Sequence, residues 1–124
     1  MDGVMIQIKR VYGDWSRRDG LRILVDRIWP RGVRKERARI HEWRKDLAPS
    51  TSLRTWFGHD LAKWPEFRRR YRAELKRSAE AKAFKDLIRE ERSKMMVTLV
   101  YSAVDQKHNQ AVVLKQFLEE KTGS

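Results

Sequence analysis

The chain has 124 residues, the size of one ordinary domain, and this is long enough to bury a core without staples. It contains no cysteine, which excludes disulfides, thiolate catalysis, iron–sulfur clusters and cysteine-ligated zinc and fits a reducing cytoplasm. Lys and Arg total 29 against 17 Asp and Glu, a formal charge of +12; such a field attracts nucleic acid, nucleotides, phosphate metabolites or anionic lipid, and it also keeps solvated faces soluble.

Five Trp argue against disorder. No apolar stretch approaches the roughly 20 residues of a membrane span, and no charged-then-apolar leader opens the sequence. A cytoplasmic protein without membrane contact is therefore expected. The basic excess lies wholly within residues 1–94, since residues 95–124 carry three basic and three acidic groups.

Met5–Tyr12 alternates, with Ile6 and Ile8 on one side and Gln7 and Lys9 on the other, which predicts a strand. Gly13–Gly20 is polar with glycine at both ends and reads as a loop. Leu21–Ile28 holds the run Ile23-Leu24-Val25 and then turns to Asp26-Arg27, the pattern of a buried strand arriving at a site. Trp29-Pro30-Arg31-Gly32 must be loop, because Pro30 disfavours helix at Trp29 and lacks a donor.

Ile40, Trp43 and Leu47 fall at helical spacing and predict a helix over Arg34–Leu47, ended by Pro49. Ser50, Thr51 and Ser52 offer N-caps for a short helix carrying Leu53, Trp56 and Phe57, with Gly58 as its C-terminal cap. Leu61, Trp64, Phe67, Tyr71 and Leu75 make an amphipathic helix, with Pro65 in its first turn and Ser78 at its break. Ala81, Phe84, Leu87 and Ile88 form a further helical stripe. Met95–Tyr101 is nearly all apolar, as a strand covered on both faces should be. His108–Leu118 predicts a terminal helix, and residues 119–124 a frayed tail.

The order is strand, strand, several helices, strand, helix, with neither internal repeat nor linker. It predicts one domain over residues 1–124: α/β, with a short, mostly parallel sheet flanked by helices. In such sheets ligands sit beyond the carboxyl ends of the strands. That rule selects Lys9-Arg10, Asp26 through Gly32, and Tyr101 through Asn109.

Six stretches carry a family resemblance: IQIKR at Ile6–Arg10, LVDRIWPRG at Leu24–Gly32, WRKDLAPS at Trp43–Ser50, LRTWFGHD at Leu53–Asp60, FRRRYRAEL at Phe67–Leu75 and VTLVYSAVDQKHNQA at Val97–Ala111. On these the chain resembles the YeaO-like branch of the group called domain of unknown function 488. The resemblance implies a small layered Rossmann-like domain and no settled function. The broader group often pairs a strand-end Asp-x-Arg with a later Cys-x-Glu and Cys-His-Arg. Here Asp26 and Arg27 are adjacent, and Tyr101-Ser102-Ala103 and His108-Asn109 stand in place of the later elements, so no thiol chemistry carries over. Pro65 sits where the family's helix pattern usually runs on.

Asp26, Arg27 and Arg31 around Trp29-Pro30 form one candidate cluster, in which guanidinium groups offer planar, bidentate donors to phosphate or carboxylate. The bland alternative is an Asp–Arg pair pinning a loop, with Trp29 in the core. Tyr101, Ser102, Asp105, His108 and Asn109 form the second cluster. Asp105 there could cap the terminal helix, whose N-terminus suits an anion, and His108 could transfer protons. With Arg10 these make the expected ligand site, and Asp26 and His108 are its candidate acid–base residues.

No Gly-x-Ser-x-Gly elbow supports a triad of Ser102, His108 and Asp105. His59-Asp60 could face the same site or cap the next helix. His41, His59 and His108 lack paired spacing for zinc, and neither a Walker loop nor a dinucleotide fingerprint is present. No metal or cofactor is expected.

Nucleic acid is the alternative partner to a small anion. Arg34, Lys35, Arg37 and Arg39, together with Arg68, Arg69 and Arg72, could contact phosphates, and Trp15 or Trp29 could stack a base. The same stripes could instead be solvated helix faces or meet an acidic protein. The pattern sets neither an enzymatic reaction nor an oligomeric state.

Overall fold

The computed structural model of the chain describes residues 5–91 and 96–120. Four parallel strands, β1 (Ile6–Arg10), β2 (Leu21–Leu24), β3 (Glu42–Trp43) and β4 (Val97–Tyr101), form one sheet in the order β1-β4-β2-β3. Around it lie α1 (Lys35–Ala38), α2 (Thr51–Phe57), α3 (Trp64–Arg77), α4 (Ala79–Glu91) and α5 (Gln110–Glu119), with short 3-10 turns at Arg17–Asp19, Lys45–Leu47 and Leu61–Lys63. This is the expected α/β arrangement of a parallel sheet flanked by helices.

The last strand in sequence takes a central place. All five residues of β4 are buried, as required of a strand with a neighbour on each edge and a layer on each face. Ile6 of β1 and Leu21 of β2 both lie opposite Val97, and at the carboxyl side Arg10 lies opposite Tyr101 and Leu24 opposite Val100, so the three strands end within one residue of one another. Val11 donates to the Tyr101 carbonyl (2.7 Å) and Val25 to the Val100 carbonyl (3.0 Å), extending the strand contacts one residue further.

Side chains alternate along each strand and divide the interior in two. Ile6, Ile23, Val25, Val97, Leu99 and Tyr101 face the main core, which α2, α3, α4 and α5 close with Leu53, Phe57, Phe67, Tyr71, Phe84 and Phe117 among others. Leu24 and Val100 face the smaller core with Val11 and Ala38, and Trp29, Val33, Ile40 and Trp43 pack against it.

The helix expected over Arg34–Leu47 does not form as one element. It ends after Ala38, with Arg39 in the left-handed region (φ 51°, ψ 45°). The chain then pairs with the open edge of β2: His41 N–H donates to the Arg22 carbonyl and Arg44 N–H to the Leu24 carbonyl, both at 2.8 Å. Ile40 and Trp43 do pack inward as expected, but on the second face of the sheet, and the unpaired edge of β2 outcompetes the helical period.

Elsewhere the caps follow the chemistry. Ser50 Oγ accepts from Leu53 N–H at the start of α2, Gly58 closes it at φ 51°, and Ser78 separates α3 from α4. The terminal helix begins at Gln110 rather than His108, with Asn109 as its N-cap. It runs to Glu119, with Glu120 as C-cap, so of the expected tail residues 121–124 lie outside the described residues, as does Met95 of the strand expected over Met95–Tyr101.

Gly20 lies just before β2 at φ 63° and ψ −130°, a conformation that only glycine adopts readily. A Cβ there would stand 2.1 Å from the Met96 carbonyl oxygen, the acceptor for Leu21 N–H. Strain and overlap together predict that Gly20→Ala costs about 3 kcal/mol or more, read as a lowered urea midpoint. An unchanged midpoint would show that this approach of β2 to β4 is not required.

Candidate functional site

Beyond the carboxyl ends of β2 and β4 the molecule opens into a cleft of about 320 Å³. Asp26 and Ser102, which follow those strands, form its floor. Ala48 and Pro49 form one wall; α2 supplies Arg54, Thr55 and Phe57, followed by Gly58 and His59; and Asn109 and Gln110 enter from the start of α5. The position is the one that the strand-end rule for open parallel sheets selects.

Asp26 is 7% exposed. Its Oδ1 accepts from Gln110 Nε2 at 2.5 Å, and its backbone carbonyl accepts from Trp43 Nε1 at 2.7 Å. Among the described residues Oδ2 has no partner in hydrogen-bond geometry, although it is buried. Burial pushes the carboxyl pKa above its ordinary value. The Ser102 hydroxyl and amide, the Gln110 amide and the Arg54 charge pull it down without cancelling that effect.

The α2 wall is fixed from below. Glu74 of α3 accepts from both the amide (2.9 Å) and the hydroxyl (2.6 Å) of Ser50, the N-cap residue, and so holds the helix that carries Arg54 and Thr55. Past α2, Gly58 and His59 both take left-handed backbone at φ 51° and 59°. Of the pair His59-Asp60, Asp60 caps the next turn by accepting from Ala62 N–H at 3.0 Å, while His59 lines the cleft.

Asp26, Arg27, Ser102 and Asn109 of the expected site all line this cleft. Two of them are tied into the fold as well. The Arg27 guanidinium donates to the Pro49 carbonyl (3.0 Å) and the Ala48 carbonyl (3.4 Å). Asn109, 1% exposed, caps α5 by accepting from Val112 N–H and donates to the Asp105 carbonyl.

The remaining expected residues lie outside the cleft. Arg10 donates to the Ala103 and Ser102 carbonyls at 2.8 and 3.1 Å, strapping the end of β1 to the loop after β4. Trp29 packs edge-on against Trp43 at 5.4 Å and donates to the Val33 carbonyl. Arg31 is exposed, and its carbonyl accepts from Tyr12. Tyr101 is buried, which raises its pKa.

Asp105 caps a turn instead of the helix, accepting from the Lys107 and His108 amides. The Lys107 amide leads in holding its carboxyl below the ordinary value, and His108, whose Nδ1 lies 3.0 Å from Oδ2, adds to it. The His108 ring stands edge-on to Trp64 at 5.2 Å. Among the described residues no hydrogen bond joins Ser102 to His108, so this trio makes no relay.

Arg54, Thr55 and Gln110 belong to the cleft without having been singled out by sequence. A cap at Asn109 would have pointed to Gln110 as the first helical residue beside the sheet edge, and Ser50 as cap would have placed Arg54 on the second turn of α2.

The two arginine stripes differ. Arg69 and Arg70 both bond Glu66, and these bonds hold its carboxyl down at about 2. Arg68 bonds Gln116, and Arg72 bonds Glu120. Arg34, Lys35 and Arg37 are exposed and make no ion pair among the described residues, and Arg39 lies 4.2 Å over the Trp15 ring.

Over residues 5–124 the chain matches the family model described as the inactive DUF488-N3 subclade. It is 42% identical over 114 residues to the uncharacterised protein YeaO of Escherichia coli (strain K12), covering 91% of this chain and 96% of that protein. It is 40% identical over 113 residues to the uncharacterised protein Rv3073c of Mycobacterium tuberculosis (strain ATCC 25618 / H37Rv), covering 91% and 92% respectively. No solved structure matches it.

Proposed function

Since this chain belongs to the DUF488 family, in the subclade described as inactive, we propose that its cleft binds a small anionic ligand of nucleotide or phosphate-metabolite type and does not turn it over. The observation that carries the reading is a buried carboxyl, Asp26, whose Oδ2 makes no hydrogen bond of good geometry although the Ser102 hydroxyl and amide act on the group, on the floor of a cleft whose wall bears the exposed guanidinium of Arg54. An orphaned buried acceptor costs about 1–3 kcal/mol, and a ligand hydroxyl or N–H placed on it removes that cost.

The remaining lining supports the same chemistry. Phe57, Pro49 and Ala103 give an apolar surface for a flat or ring-shaped body, and Arg54 and His59 stand where an anionic group would meet them. A volume of about 320 Å³ lies at the small end of ligand pockets and suits a nucleoside monophosphate or sugar phosphate better than a dinucleotide. Asp26 supplies the acceptor and Arg54 the charge-assisted donors.

Titration calorimetry with nucleoside monophosphates and sugar phosphates tests this. The parent is expected to bind at least one of them saturably, and Arg54→Ala to weaken that binding about 10- to 100-fold, as loss of a charge-assisted hydrogen bond does. Equal affinity in parent and variant would remove Arg54 from the site, and no heat from any of these compounds would overturn the reading.

A further inference from the structure

We infer that a second surface, separate from the cleft, binds single-stranded nucleic acid. It is a shallow groove of about 630 Å³ between the loop after β1 and the segment leading into α1, lined by Tyr12, Trp15, Gly32, Val33, Arg34 and Arg37. These segments cover the second face of the sheet, where Val11 and Ala38 anchor them to the smaller core. The cleft belongs to the side closed by α2 and α5.

Three observations favour this partner. First, two large aromatic side chains are open at the groove, Trp15 at 41% and Tyr12 at 49% exposure. Exposed aromatic rings serve as platforms for unpaired bases. Second, each ring carries an arginine: Arg39 lies 4.2 Å over Trp15 and Arg10 lies 4.9 Å over Tyr12. Guanidinium planes stack on bases and also reach phosphates.

Third, the surrounding cations are uncommitted. Arg17, Arg18, Arg31, Arg34, Lys35 and Arg37 are exposed and make no ion pair among the described residues. The exposed acidic side chains of these two segments, Asp14 and Glu36, are outnumbered, and Asp19 is buried. The α3 stripe fails the same comparison, because Glu66 takes Arg69 and Arg70, and Gln116 and Glu120 take Arg68 and Arg72. Stacking rings beside free cations fit a flexible single strand, whose bases are available, better than a duplex, whose bases are already stacked.

The test is fluorescence anisotropy of a labelled deoxythymidine homopolymer, its ribouridine counterpart, and a duplex of equal length, titrated with the full chain at several salt concentrations. Saturable binding of either single strand at 0.15 M salt, tighter than the duplex, is expected. Trp15→Ala should weaken it about 10-fold. Arg34→Glu with Arg37→Glu should weaken it further and flatten the salt slope by about 1–2 phosphate equivalents. Arg69→Glu on α3 should change it little.

Circular dichroism verifies that each variant folds, and the charge-reversed pair tests the surface independently of Trp15. A duplex bound as tightly as the single strands would overturn the stacking surface. So would an equal loss in Arg69→Glu, competition by polyglutamate as effective as by polynucleotide, or no binding at 0.15 M salt. None of these outcomes bears on the Arg54 cleft.

Discussion

Asp19→Ala is expected to destabilise the protein by about 3–5 kcal/mol, the cost of breaking a buried ion pair from one side and a large part of a small domain's total stability. Asp19 and Arg22 are each 1% exposed. Arg22 Nη1 lies 2.6 Å from Asp19 Oδ2, and its Nε and Nη2 donate to the Ala38 carbonyl. Lys9 Nζ and Gln7 Nε2 donate to Oδ1 at 2.7 and 3.2 Å, while Ser16 N–H donates to Oδ2 at 3.1 Å. Alanine would leave the Arg22 charge buried with only a carbonyl to face.

The pH dependence follows from the carboxyl. Burial alone would raise its pKa, but the bonds from Lys9, the Ser16 amide and Arg22 and the Lys9 charge outweigh it, and the net direction is down. A lowered folded pKa contributes stability above the unfolded value of about 3.9, and that contribution is lost as pH falls through the folded value. The gap in urea midpoint between parent and Asp19→Ala should therefore be full at neutral pH and narrow below about pH 4. A gap under about 1 kcal/mol at pH 7 would show that water, or Lys9 alone, compensates. The paired change Asp19→Leu with Arg22→Met should cost less than the single one, because no charge is left behind.

Asp26→Asn has the opposite sign. Here the folded pKa is raised, so folding favours the protonated form. The stability held by the protonated carboxyl is complete below the unfolded value and lost as pH rises through the folded one. Above the folded value the ionised group weakens the fold. Asparagine keeps an acceptor for Gln110 Nε2 and removes the charge that burial disfavours; its N–H₂ can donate to the Ser102 hydroxyl, at the expense of the contact with the Ser102 amide, which only donates.

The variant should therefore gain about 1 kcal/mol or more at pH 7, seen as a raised melting temperature, and should converge with the parent in acid. It should also lose the small anionic ligand, because the acceptor at the cleft floor becomes a donor. Gain of stability with loss of binding marks a site residue. A destabilised Asp26→Asn would instead mean that the carboxylate is a structural acceptor, and retained binding would remove it from the ligand.

Much of this could be read from the chain alone. The alternation at Ile6–Lys9 puts Gln7 and Lys9 on the face where they bond Asp19. The apolar run of β4 announces a strand covered on both sides, and Ser50, Gly58, Pro65 and Ser78 bound their helices as cap chemistry requires. Asp26 and Ser102 follow from the strand-end rule, because the ends of apolar runs are local features and parallel sheets bring them to one edge.

Other features came from pairings across long stretches of chain. The segment around Ile40 and Trp43 has helical spacing, yet its backbone hydrogen bonds go to β2. The loop aspartate Asp19 and the strand arginine Arg22 bury each other only because Ala38 and Thr98 arrive from elsewhere. Gln110 meets Asp26 across 84 positions.

For the arginines, residue type set the charge and tertiary contact set the use. Arg10 and Arg27 hold backbone carbonyls, the α3 arginines hold carboxylates and an amide, and Arg34, Arg37 and Arg54 make no ion pair among the described residues. The sequence determined the α/β class, the strand ends and the excess of positive charge, because period, caps and composition are local properties of the chain. Only the tertiary structure decided the strand order and which cations are left uncommitted, because an acceptor for a guanidinium is found in space and not in neighbouring positions.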